Sequence, residues 1–118
     1  MHRDNDLPAV LSRDTQAWYK RGQLHREGDK PAFIQHDRNF WFIDGKLHRD
    51  NDLPAVIDGQ NQTWYKRGEI HRDNDLPAII NGDFQCWYIN GNLHREGGPA
   101  IINRDYQAWY THGIRMVQ

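Results

Sequence analysis

The chain has one cysteine, Cys86, among its 118 residues. An intramolecular disulfide framework is therefore excluded, and a reducing compartment fits. Charge of either sign is also lacking in excess: Lys plus Arg number 15, Asp plus Glu 16, and the net charge is -1 with His neutral. Non-specific nucleic-acid binding needs several uncompensated Lys or Arg, so nucleic acid is not an expected partner. Membrane association draws no support from the charge for the same reason. Nowhere do 18 apolar residues run together, and the stretch MHRDNDLPAVL holds neither an apolar segment nor a twin arginine. The expectation is an intracellular, soluble, cytoplasmic protein. Apolar residues make up 37 % of the chain, which is poor for a thick globular core. A Pro and a Gly in every 23 residues leave no room for an amphipathic helix.

What the chain does have is aromatics and repetition. Five Trp, five Tyr and four Phe are too many for a disordered, solvating tail. The stretch HRDNDLPA occurs at 2–9, 48–55 and 71–78, with looser copies HREGDKPA at 25–32 and HREGGPA at 94–100. His2, His25, His48, His71 and His94 stand 23 residues apart. Trp18, Trp41, Trp64, Trp87 and Trp109 keep that step, apart from one residue lost between His94 and Pro99. Five units follow, at about 2–24, 25–47, 48–70, 71–93 and 94–115, forming a single repeat domain.

Each unit reads as a β-hairpin. A short β-branched run such as Ala55-Val56-Ile57 gives the first strand, and Gln62-Thr63-Trp64-Tyr65 the second. Asp58-Gly59 and Asn81-Gly82 supply turn chemistry in two units, and Asp14, Asp37 and Asp105 in the others. Alternation then predicts Ala55, Ile57 and Trp64 on one face, with Val56, Thr63 and Tyr65 on the other. The expected fold class is all-β: an elongated single-layer antiparallel sheet of five tandem hairpins, about 50 Å long from the strand spacing.

The histidines invite a metal reading, which spacing opposes. Two strands per unit put equivalent side chains about 10 Å apart, whereas zinc ligands lie about 2.0–2.3 Å from one ion. Hydrogen bonding of His and its acidic neighbour across connectors is the better account. Asp50-Asn51-Asp52 offers oxygen ligands, but the distal Glu of a calcium loop is absent and units two and five lose part of the triplet. No metal or cofactor is expected. Nor is an enzyme, because catalysis needs unlike groups converging on one pocket, and here every eye-catching residue is repeated except Cys86. That residue stands where Ala17, Phe40, Thr63 and Ala108 stand, and reads as a small packing residue. The arginines Arg3, Arg26, Arg49, Arg72 and Arg95 are each followed by Asp or Glu, which predicts a salt-bridged, solvated edge.

The aromatic rows remain. Trp18, Trp41, Trp64, Trp87 and Trp109 are expected in the core. Tyr19, Phe42, Tyr65, Tyr88 and Tyr110 form a second row, which either is covered by curling of the sheet or meets a protein partner or a second copy.

The order aromatic, Gly three residues on, His three further, as in Trp64-Tyr65-Lys66-Arg67-Gly68-Glu69-Ile70-His71, resembles the MORN repeat across nearly the whole chain. MORN repeats place Gly after the His, where this sequence has Arg and a longer acidic connector. The resemblance implies an antiparallel sheet of hairpins used as a scaffold, in some members associated with phospholipid membranes. A weaker likeness to choline-binding repeats rests on the Trp-Tyr pair and implies small ligands held in aromatic cages between repeats.

Overall fold

Each unit folds into two hairpins, where the sequence predicted one. The structure, a computed structural model, describes residues 7–116, so His2 and Arg3 lie outside the described residues. In the third unit Val56–Asp58 pairs with Asn61–Thr63, and Asp58 faces Asn61 across a two-residue loop. Gly59 opens that loop with φ 62°. A positive φ at the first loop position is what a type II′ turn demands, and glycine adopts it without strain. Gly82 does the same in the fourth unit. In units two and five His36 (φ 55°) and Arg104 (φ 58°) hold this position, so the neighbouring Asp37 and Asp105 are second in the loop.

The chain then breaks at Trp64 and forms a short hairpin, Tyr65–Lys66 with Glu69–Ile70. Its loop residues Arg67 and Gly68 both have positive φ (51° and 86°), the requirement of a type I′ turn. That is the structural meaning of a Gly four residues after each Trp. In the last unit the arms fuse: Tyr106–Thr111 runs straight through Trp109 and pairs with Ile114–Met116.

The long hairpins join into one antiparallel sheet of eleven strands that follows chain order from Val10–Leu11 to Ile114–Met116 and does not close. Asn61–Thr63 pairs with Ile79–Asn81 of the next unit, and the Trp64 N–H donates to the Ala78 carbonyl at 2.8 Å. The short hairpins link separately: the Gly68 N–H donates to the Leu47 carbonyl, and the Gly91 N–H to that of Ile70. Every unit is thus tied to its neighbour along two lines. The molecule measures 54 × 24 × 20 Å, an elongated body of the length the strand spacing predicted.

Alternation holds within the paired strands, where Thr63 faces Val56 and Gln62 faces Ile57. It fails at the flanking residues. The Ala55 N–H donates to the Thr63 carbonyl although Thr63 is already paired with Val56, so two successive residues oppose one, as in a β-bulge. Trp64 stands outside both strands. The predicted sharing of a face by Val56 and Thr63 holds, whereas the placing of Ala55 and Trp64 with Ile57, and of Tyr65 with Thr63 by simple alternation, is corrected accordingly.

The core is thin. Ala32, Ala55, Ala78 and Ala100 are fully enclosed, and Trp18, Trp41, Trp64 and Trp87 are buried, as expected, whereas Trp109 of the last unit is only half-buried. One cross-strand row joins Ala17, Phe33, Phe40, Val56, Thr63, Ile79, Cys86, Ile101 and Ala108. Ala17, Cys86 and Ala108 are the buried members. Among the described residues no helix is long and apolar enough to cross a membrane.

A left-handed backbone costs an L-residue about 1–2 kcal/mol. His36→Gly and Arg104→Gly are therefore expected to stabilise the chain by about 0.5–1 kcal/mol after the entropy glycine adds to the unfolded chain. Gly82→Ala should cost about 1–2 kcal/mol. Urea unfolding of the three variants measures both effects.

Candidate functional site

The conspicuous residues of the HRDND connector converge on the indole rings. In three of the four described copies the connector turns through two successive positive-φ residues, Gly28-Asp29, Asn51-Asp52 and Asn74-Asp75, while in the shortened fifth unit Gly97 alone has a positive φ. Gly, Asn and Asp are the residue types that take this conformation most readily. The turn aims the Asp52 carbonyl at Trp64, whose Nε1–H donates to it at 3.1 Å. Trp41 and Trp87 donate likewise to the carbonyls of Asp29 and Asp75.

The same aspartate holds an arginine from the following unit. Arg72 donates from Nε to Asp52 Oδ1 at 2.9 Å, and from Nη1 to the Pro77 carbonyl at 3.0 Å. Its guanidinium carbon lies 3.7 Å from the centre of the Trp64 ring. Arg49 repeats the arrangement on Trp41 with Asp29, and Arg95 on Trp87 with Asp75. Arg26 stacks on Trp18 at 3.6 Å and donates to the Pro31 carbonyl.

The expectation of a solvated arginine edge neutralised by the next residue is thereby overturned. The Arg72 side chain is 13 % exposed, and its carboxylate comes from 20 residues upstream. The cause is geometric: the residue after Arg72, Asp73, is turned to His71 instead, with its Oδ1 2.7 Å from Nε2.

The histidines tie one short hairpin to the next. His71 Nδ1 accepts from the Asn90 N–H at 2.9 Å, and His48 Nδ1 from the Arg67 N–H at 3.0 Å. His25 and His94 accept in the same way from Asp44 and His112. An accepting Nδ1 leaves the ring proton on Nε2, where Asp50 and Asp73 receive it. In the second unit Lys20 takes Glu27 at 3.0 Å, leaving Glu27 3.6 Å from His25. The Lys20 hydrogen bond and charge hold the Glu27 carboxyl below its usual range. His112 lies in a turn with its ring 4.4 Å from that of His94. Among the described residues no cluster of three or more His, Cys, Asp or Glu is disposed to hold a metal.

The second aromatic row stands between core and solvent. Tyr19, Phe42, Tyr65, Tyr88 and Tyr110 are all half-buried. The first four face Leu24, Leu47, Ile70 and Leu93 across their short hairpins. Burial raises the Tyr88 hydroxyl above its usual range, with smaller contributions from Cys86, Tyr110 and Tyr65. Burial likewise pushes the Cys86 thiol up to about 11, which keeps it a protonated, unreactive packing group at neutral pH.

Shallow grooves run between successive connectors. One of about 480 Å³ is lined by Trp87, Tyr88, Ile89, His94, Arg95 and Glu96, among others. The next along the stack has Tyr65, Lys66 and the carboxylates of Asp50 and Asp73 on its walls. Of the residues singled out from sequence, Arg and Trp meet in stacked pairs, His ties one short hairpin to the next, Tyr65 and Tyr88 reach the grooves, and Cys86 stands apart in the sheet. Sequence reasoning missed the Asn-Asp turn. Its signal was the exchange of Asn51 and Asn74 for Gly28, a substitution that marks a positive φ.

Protein-family models, curated proteins and solved structures give no match to this chain.

The two bonds of a connector histidine can be separated by substitution. An Asn side chain places its oxygen near the Nδ1 position, and a Gln places its amide near Nε2. His71→Asn should keep the Asn90 contact and cost less than about 1 kcal/mol, whereas His71→Gln should lose it and cost about 1–2 kcal/mol. Chemical denaturation of the pair checks the order.

Proposed function

We propose that the chain is a non-catalytic β-hairpin repeat scaffold that binds a protein partner through the row Tyr19, Phe42, Tyr65, Tyr88 and Tyr110. The observation that carries this reading is the half-burial of all five at equivalent places, with Tyr65 and Tyr88 opening into grooves between connectors. A half-buried ring is already fixed, so contacting it costs little side-chain entropy. Exposed Asp50, Asp73 and Lys66 beside the rings give such a contact polar partners. The other groups that caught attention are already engaged inside the molecule. Trp18, Trp41, Trp64 and Trp87 each carry a guanidinium on the ring, which occupies the face a small cationic ligand would need. The MORN-like order of residues supports a scaffold role by resemblance.

The test is a comparison of the wild-type chain with a Tyr65→Ser, Tyr88→Ser double variant as baits. A partner retained by the wild type should be lost by the variant while its β-type circular dichroism persists. Retention of the partner by the variant, or collapse of its dichroism, would remove this reading.

A further inference from the structure

The grooves between successive connectors are unequal, and the difference follows one position of the repeat. Lys20, Ile43, Lys66 and Ile89 are equivalent, so lysine and isoleucine alternate along the short hairpins. Lys66 lines the groove between the third and fourth connectors, which has a volume of about 180 Å³. Ile43 lines the groove before it, of about 320 Å³, and Ile89 the groove after it, of about 480 Å³. Ile43 is 36 % exposed and Ile89 half-buried, so each gives its groove an apolar wall open to solvent.

Each isoleucine groove also holds a carboxylate that the molecule leaves without a cation. Asp50 accepts from His48 Nε2 at 2.8 Å and is otherwise exposed. Glu96 stands 3.7 Å from His94 Nε2, beyond hydrogen-bonding distance, and is 91 % exposed. Both histidines accept a backbone N–H through Nδ1, so in this arrangement neither ring carries a charge to offset them. Among the described residues, neither carboxylate is paired with a lysine or arginine. The neighbouring ones are: Glu27 holds Lys20, while Asp29 and Asp75 hold Arg49 and Arg95. An apolar wall ending in an uncompensated carboxylate fits a lysine or arginine side chain, whose stem lies on apolar surface while its charged head stays in water. The two isoleucine grooves are two units, or about 20 Å, apart, and an extended chain advancing about 3.3 Å per residue spans that in about six residues.

We propose, resting on the scaffold reading above, that the partner's contact segment is an extended stretch carrying two basic side chains about six residues apart. One enters the groove of Ile43 and Asp50, the other that of Ile89 and Glu96. The residue midway between them carries no positive charge, because it meets Lys66. The tyrosine row supplies apolar contact, and the isoleucine grooves select charge and spacing.

Fluorescence anisotropy with labelled synthetic peptides tests this on the full chain. One peptide carries two lysines about six residues apart among serines and threonines, a second has them half as far apart, and a third has glutamate in place of both. The wild-type chain should bind the first most tightly and the glutamate peptide not at all, and added salt should weaken the complex. The second peptide should bind as weakly as one with a single lysine, since only one of its lysines reaches an isoleucine groove. Asp50→Asn leaves an oxygen for His48, Glu96→Gln removes only charge, and both side chains are exposed. Each should weaken binding of the first peptide about two- to fivefold. Ile89→Lys should weaken it at least as much, with wild-type circular dichroism. A wild-type chain that binds no lysine peptide, binds both spacings alike, or binds the glutamate peptide equally overturns the proposal. So do folded Asp50→Asn and Glu96→Gln variants that bind as the wild type does. If the wild type ignores the lysine peptides while Tyr65→Ser, Tyr88→Ser still loses a protein partner, this proposal fails and the scaffold reading stands. Groove-dependent binding that survives the tyrosine substitutions unchanged supports the proposal and removes the tyrosine row from the contact.

Discussion

A guanidinium laid on an indole and fixed by the carboxylate and carbonyl of its neighbours is the contact on which the stacking of units depends. A 23-residue hairpin unit has no interior of its own: its enclosed residues are an Ala, a Trp in the first four units, Pro54 and Pro77 in two of them, and a small strand residue in some. Stability must therefore come from the faces between units. Burying a Trp removes about 150–250 Å² from water, worth about 4–6 kcal/mol at the usual apolar coefficient. The ring stays dry only if its outer face is covered, and the arginine of the next unit is what lies on it. The ion pair itself counts for less. Asp52 is 47 % exposed, so its attraction to Arg72 is screened and falls in the range of about 0–1 kcal/mol. Cover and stacking outrank charge.

This ordering shows how far the His, Arg and Asp side chains of the connector are already engaged within the molecule. Arg72 spends its donors on Asp52 and Pro77. His71 is engaged through both ring nitrogens, and Trp64 through its N–H and one face. A catalytic or metal centre needs groups left over, converging on one point. The connector leaves over carboxylate edges and the tyrosine row beside them.

Much of the architecture was legible in the sequence because the repeat imposes it. The step from His2 to His94, the short β-branched runs and the Asp-Gly and Asn-Gly turns point to tandem hairpins and an open sheet. The second hairpin was hidden because its strands are two residues long, too short for any period to register. The partner of each arginine was hidden for a different reason. Adjacent Arg and Asp invite pairing by proximity, yet the peptide between them directs Asp73 to His71 and sends Arg72 back to Asp52, 20 residues away. The expected packing of Trp was right in kind. That its exposed face would be covered by an arginine was a fact about stacking geometry that composition does not carry.

The claim that cover on the indole outranks the ion pair can be measured by a double-mutant cycle joining Trp64→Leu and Arg72→Met, read from urea unfolding free energies. A coupling of about 1 kcal/mol or more, little changed by added salt, is the result this account predicts. Additivity of the two substitutions within about 0.5 kcal/mol would contradict it.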